Sequence, residues 1–189
     1  MRFGCGGCRL IQYRDGKFAS KVFNTKDGQL QSDNVQFVLQ DSARRIWIGT
    51  DKGLYCWKDN ALQCVDKSHS FQRACSFKGK TCFITVDGEI RTADKEGRLS
   101  LAAKLPDVSY GLDLPGNLAV GSQWVIFTSE GSFVFDTESN MLRPSPPEWN
   151  IPGGEVSVDN RGNYWVHNKT GKLYYIQSET GVVKVFQLM

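Results

Sequence analysis

Any chemistry in this chain would have to come from a few residues, and Glu148-Trp149-Asn150 is the most suggestive group. Pro144, Pro146, Pro147 and Pro152 flank it. A tryptophan held in a stiff proline loop could stack on a sugar ring or a partner, with a carboxylate and an amide beside it for hydroxyls. The alternative is that Trp149 folds down to cover the gap between two neighbouring sheets. The two histidines, His69 and His167, stand far apart in sequence. No G-x-S-x-G elbow, H-E-x-x-H pair or phosphate-cradling glycine loop occurs. The Asp and Glu residues fall at turns, where their bonds to backbone amides account for them. No catalytic residue is expected.

The six cysteines, Cys5, Cys8, Cys56, Cys64, Cys75 and Cys82, offer little more. Cys5-Gly6-Gly7-Cys8 has the spacing of redox and zinc motifs. A redox motif needs a helix N-terminus to activate its thiol, and here the surroundings read as a turn between strands. A zinc site needs a second pair at comparable spacing, and Cys56/Cys64 and Cys75/Cys82 are too far apart in sequence. The cysteines therefore read as small buried hydrophobes. A disulfide between neighbouring strands, Cys56 with Cys64 or Cys75 with Cys82, stays open for an oxidising compartment. No metal and no cofactor is expected.

These residues must be positioned by strands. Val35 to Trp57 reads as three strands in a row, Val35–Gln40, Ile46–Thr50 and Leu54–Trp57, separated by Asp- and Gly-bearing turns. The frame returns at 156–176. In both copies an Asp (Asp41, Asp159) precedes a Trp (Trp47, Trp165) by six residues, and a Gly (Gly53, Gly171) follows it by six. Weaker copies carry Thr85 and Gly88, then Thr128 and Gly131. The turn glycines Gly53, Gly88, Gly131 and Gly171 stand 35, 43 and 40 residues apart. A period near ~40 residues with four strands per unit is that of a β-propeller blade. No segment sustains a 3.6-residue period, so helix should be close to absent.

The run Asp41…Ile46-Trp47-Ile48-Gly49-Thr50-Asp51-Lys52-Gly53-Leu54 resembles the repeat of the two-component regulator propellers. Arg44 stands where that family prefers Gly. The resemblance is specific over 35–57, fair over 3–13 and 156–175, and poor between. It implies a periplasmic sensor region of a hybrid two-component histidine kinase, of the kind known from gut Bacteroidetes that sense polysaccharide fragments. The parent protein would carry the kinase and an inner-membrane anchor elsewhere.

The fold class expected is all-β, a β-propeller fragment of about four and three-quarter four-stranded blades, near 1–27, 33–67, 70–105, 108–146 and 153–189. Phe3–Cys5 reads as the second strand of a blade whose first strand is missing, so a portion of a longer propeller is expected. That would also explain why no signal peptide precedes it. In a propeller, the turns between second and third strands and the links between blades gather on one face, the usual ligand surface. That face would collect Lys52, Asp87 and Glu130 beside Glu148, Trp149 and Asn150. The other tryptophans, Trp47, Trp57, Trp124 and Trp165, are expected to pack between sheets.

Composition bounds the partners. At 189 residues, 40% hydrophobic and 12% aromatic, the chain can bury a core. Its net charge of +3 comes from 23 basic and 20 acidic residues spread in both signs. A nucleic-acid binder would cluster its cations, so no nucleic acid is expected. Nothing approaches the ~18 consecutive apolar residues of a membrane span. The expected partners are an oligosaccharide ligand and a second copy of the chain, since open sheet edges and faces invite self-association. An interaction scaffold, or a propeller lyase or glycosidase, are the competing functions.

Overall fold

A computed structural model describes residues 6–77, 79–106, 118–128, 131–149, 151, 154–168 and 171–187. Two compact units divide it, Met1–Ala102 and Ala103–Met189.

The first unit opens with a hairpin of β1 (Cys8–Arg14) and β2 (Lys17–Phe23). Phe3–Cys5, expected as a strand, lies outside the described residues. Two four-stranded meanders follow. One is β3 (Val35–Gln40), β4 (Ile46–Thr50), β5 (Gly53–Lys58) and β6 (Ala61–Asp66). The other is β7 (Phe71–Phe77), β8 (Lys80–Thr85), β9 (Glu89–Ala93) and β10 (Leu99–Lys104), whose last residues lie past the unit boundary. Each strand pairs antiparallel with its sequence neighbour.

The second unit contains β11 (Leu118–Val120), β12 (Gln123–Thr128), β13 (Gly131–Asp136) and β14 (Met141–Pro144). A second meander follows, formed by β15 (Gly154–Val158), β16 (Tyr164–Asn168), β17 (Lys172–Ile176) and β18 (Val183–Gln187). Leu118–Val120 forms the first strand of its sheet. The only helical turn among the described residues is 3-10, at Pro147–Trp149.

Within each unit, period-2 patterning puts the apolar face of one sheet against that of the next. In the first unit Trp47, Leu54 and Cys56 meet Phe71, Ala74, Phe83 and Ala93 of the next sheet. The opposite face, with Ile48, Tyr55 and Trp57, packs on Phe23 and Leu30. In the second unit Val125, Phe127 and Val134 pack with Val166, Tyr174 and Ile176. The first strands of both complete sheets of unit one carry a bulge at the same place, between Val35 and Phe37 and between Phe71 and Arg73. Bulges bend and twist a strand, and this one is shared by these two sheets, while the β11–β12 and β15–β16 pairings run without a register shift.

Candidate functional site

The repeat's Asp builds its turn, and the turn is structural. Asp41 Oδ1 accepts from the amides of Ala43 and Arg45, both at 2.9 Å. Its Oδ2 accepts from Arg45 Nε at 2.6 Å and from Trp47 Nε1 at 2.8 Å. Burial alone would raise the Asp41 carboxyl. The bonds from Trp47 and Arg45 outweigh it and hold the group below the usual carboxylate range. Arg45 then donates from its other nitrogens to the carbonyls of Lys95 and Asp94, each at 3.0 Å, in the next sheet. Asp41, Arg45 and Trp47 thus form a clamp between two sheets, with no group left over for a ligand.

The repeat's Thr and Gly shape the turn between second and third strands. Thr50 Oγ1 donates to Gly53 O and accepts from the Lys52 amide, both at 3.1 Å. Thr85 Oγ1 accepts from the Glu89 amide at 3.1 Å. Gly53 has φ 137, and a Cβ there would sit 2.7 Å from Asp66 O. The Asp51-Lys52-Gly53 turn therefore lies flush against the start of the link from β6 to β7.

That link holds the densest polar group in the unit. Asp66 Oδ1 accepts from the amides of Ser68 (2.8 Å) and His69 (3.1 Å), closing the link into a tight turn. The His69 ring packs beside it, Nδ1 lying 3.0 Å from Asp66 Oδ2. Its Nε2 is 3.2 Å from Arg91 Nη2 and 3.7 Å from Glu89 Oε2. Arg91 donates from Nε and Nη2 to Glu89 Oε2, each at 2.8 Å. Burial would raise Asp66, but the Ser68 amide and the His69 ring and amide hold it below the usual range. All four side chains are mostly covered yet reach solvent, from 11% exposed for Asp66 to 23% for His69. Nearby, Asp51 Oδ2 accepts from Asn34 Nδ2 at 3.3 Å, while its Oδ1 is buried with no partner among the described residues.

The sequence-predicted site residues scatter. Lys52 and Asp87 are exposed on equivalent turns of two packed sheets, at the end of the unit that carries the Asp66 cluster. Glu148 is exposed in the second unit. Trp149 beside it is buried among Leu118, Val120, Val166 and Ile176, and its Nε1 donates to Gly181 O at 3.0 Å. Asn150 and Glu130 lie outside the described residues. Sequence reasoning missed Asp66, Glu89 and Arg91. The signal available was Asp-x-x-His in an interblade link, together with an acid and a base two apart on one strand, hence on one face.

The described cysteines are free. Cys75 and Cys82 stand directly opposite each other on β7 and β8. Burial pushes both thiols up to about 12. Cys56 faces Gln63, while Cys64 faces Tyr55, so Cys56 and Cys64 are not a cross-strand pair.

Residues 29–52 match the family model described as Two component regulator propeller. They span the approach to β3, the Asp41 turn, the Trp47 strand and the Thr50 turn. The chain carries a two-component regulator propeller repeat.

No curated protein matches the chain in sequence. Solved structures do match it in shape. The extracellular domain of the BT4673 one-component system from B. thetaiotaomicron superposes with a TM-score of 0.64 at 13% identity, over 98% of this chain and 29% of that one. A structure described as the extracellular domain of the BT4673 hybrid two-component system gives 0.62 at 11% identity, over 97% and 31%. Streptogramin B lyase gives 0.62 at 14% identity, over 93% and 60%. At such identities the likeness shows the fold, which is a β-propeller. The chain spans under a third of the BT4673 domains' length. Within the regulator propeller repeat, the Asp, Trp, Thr and Gly are accounted for by the clamp and the turn. A ligand would have to be held by residues outside that signature. Among the described residues, no helix is long and apolar enough to cross a membrane.

Proposed function

We propose that the chain is signal-input propeller of a hybrid two-component sensor histidine kinase, held on the periplasmic side of the inner membrane by its parent protein. The regulator propeller repeat at 29–52 carries this reading. The likeness to extracellular domains of the BT4673 systems supports it. Its work is binding, and the parent's kinase supplies the chemistry elsewhere. The His69–Asp66 pair has the makings of a general base, but His69 Nε2, the atom such a base would present, faces Arg91 Nη2 at 3.2 Å.

The ligand face is the end of the first unit that carries Lys52, Asp87 and the Asp66–His69–Glu89–Arg91 cluster. Carboxylates, a guanidinium and an ammonium side by side suit a polyhydroxylated ligand, and an oligosaccharide is the ligand class proposed. A ligand there acts by favouring one arrangement of two sensor chains in a homodimer. The test is a calorimetric screen of neutral and acidic oligosaccharides against the protein and its Lys52→Ala and Asp87→Ala variants. Saturable binding without turnover, weakened by either variant, supports the reading. Product formation, or binding that neither variant alters, overturns it.

A further inference from the structure

The hydrogen-bond arrangement around His69 has only one consistent proton assignment when the ring is neutral. Asp66 is ionised and accepts only, and it lies 3.0 and 3.1 Å from Nδ1. Arg91 donates only, and its Nη2 lies 3.2 Å from Nε2. Neutral His69 therefore carries its proton on Nδ1 and presents the Nε2 lone pair to the guanidinium. The imidazole is a bridge from the β6–β7 link to β9, with Phe71 of β7 edge-on to its ring at 6.3 Å.

A second proton can go only to Nε2, which destroys the acceptor that Arg91 uses. Two donors then face each other at 3.2 Å. Glu89 Oε2 lies 3.7 Å from the same nitrogen and can accept the new N–H after a small closure. The groups facing the ring are Asp66 from β6 and Glu89 and Arg91 from β9. The two carboxylates attract an added charge on the ring and the guanidinium repels it. We propose that His69 is a proton-operated latch: neutral, it accepts from Arg91 through Nε2; protonated, it donates to Glu89 instead and lets go of Arg91 Nη2, which stays bonded to Glu89.

The step balances. One proton is gained at Nε2, the Nη2–H···Nε2 bond breaks, and an Nε2–H···Oε2 bond forms. Arg91 stays tethered to Glu89 through Nε and Nη2, each at 2.8 Å, with Nη1 3.8 Å from Asp66 Oδ2, so its guanidinium stays in place. The link keeps its own bonds, because the Ser68 and His69 amides donate to Asp66 in either state. The consequence is a face that carries one more positive charge, on the imidazolium, once His69 is protonated. This holds whatever ligand the face takes, or if it takes none.

The experiment is side-chain nitrogen NMR on the full chain between about pH 8 and about pH 5, the span over which imidazoles titrate. At the upper end, His69 should show the Nδ1–H tautomer, with Nε2 at the shift of an unprotonated acceptor. As the ring protonates, the Arg91 Nε–H resonance should move in step with it. In His69→Gln, whose amide cannot titrate, that resonance should stay put over the same span. An Nε2–H tautomer at high pH, an Arg91 signal indifferent to the His69 titration, or one that moves equally in His69→Gln would each overturn the latch. If the variant fails to fold, the wild-type tautomer and the wild-type Arg91 response still test the latch.

Discussion

Two turns of one design, at Asp41 and at Asp159, hold their tryptophans in different surroundings. Both Asp side chains cap two amides, at positions i+2 and i+4. Arg45 reaches the next sheet in the first copy, where the second has Asn163, whose Nδ2 returns to Asp159 Oδ2 at 3.3 Å. Trp47 is fully buried and meets Phe83 of the next sheet edge-on at 4.9 Å. Trp165 stays half-buried against Tyr175 and Phe186 of its own sheet. The Asp and the Trp make the turn, and the residue four after the Asp decides whether that turn also grips a neighbour.

The sharpest way to break this comparison is to truncate the two tryptophans. Trp47→Ala removes a wholly buried indole between two sheets and should cost roughly 3–5 kcal/mol. Trp165→Ala should cost only about 1 kcal/mol, because part of its surface is already wet. Denaturant unfolding of both variants checks the gap. Equal losses would mean that the Trp165 face is as well covered as that of Trp47.

Asp41→Ala comes next. It strands the Arg45 guanidinium and the Trp47 indole N–H inside the protein, and breaking a buried pair this way costs about 3–5 kcal/mol. Asp159→Ala removes a partly exposed cap and should cost clearly less. The pH dependence follows from the Asp41 carboxyl, which is held below its ordinary value. Its stabilisation is fully present above the unfolded-state value near ~3.9 and is lost as pH falls through the lower folded value. Wild-type unfolding should therefore steepen with acid below about pH 4, and Asp41→Asn should flatten that slope.

Exchanging the fourth residue tests the grip itself. Arg45→Asn forfeits the bonds to the Asp94 and Lys95 carbonyls and should cost about 1.5–3 kcal/mol, as charge-assisted bonds do. The reciprocal Asn163→Arg should gain nothing measurable by thermal unfolding. A gain there would reveal an acceptor waiting beside the second turn.

Much of this was legible in the sequence because it is local. The alternation of Val35–Gln40, the Asp-to-Trp spacing and the turn glycines each express a bond that closes within a few residues. Three of those glycines, Gly53, Gly88 and Gly171, do carry positive φ. The Asp66–His69–Glu89–Arg91 cluster was not legible, since it depends on how one sheet's final strand meets the third strand of the next. Trp149 shows the same limit. Four prolines around it describe a stiff loop, but its burial rests on Gly181, 32 residues on, whose carbonyl takes the indole N–H. Sequence spacing reports turns well and contacts between sheets poorly.

One residue, Arg44, lets the comparison be sharpened by a gain of stability. It sits at φ 61, while the equivalent Gly162 sits at φ 79. The Asp94 turn likewise places Gly97 at φ 90. The turn requires a left-handed residue before its closing amide, and a side chain there clashes with its own backbone. Strain of this kind costs about 1 kcal/mol, partly offset because glycine adds freedom to the unfolded chain. Arg44 is exposed, so replacing it removes no buried surface. Arg44→Gly should therefore raise stability by roughly 0.5 kcal/mol, measured as a higher denaturant midpoint at unchanged slope. A loss instead would mean that Arg44 earns its place through a bond on the surface, and the family's glycine preference would then have a reason other than backbone strain.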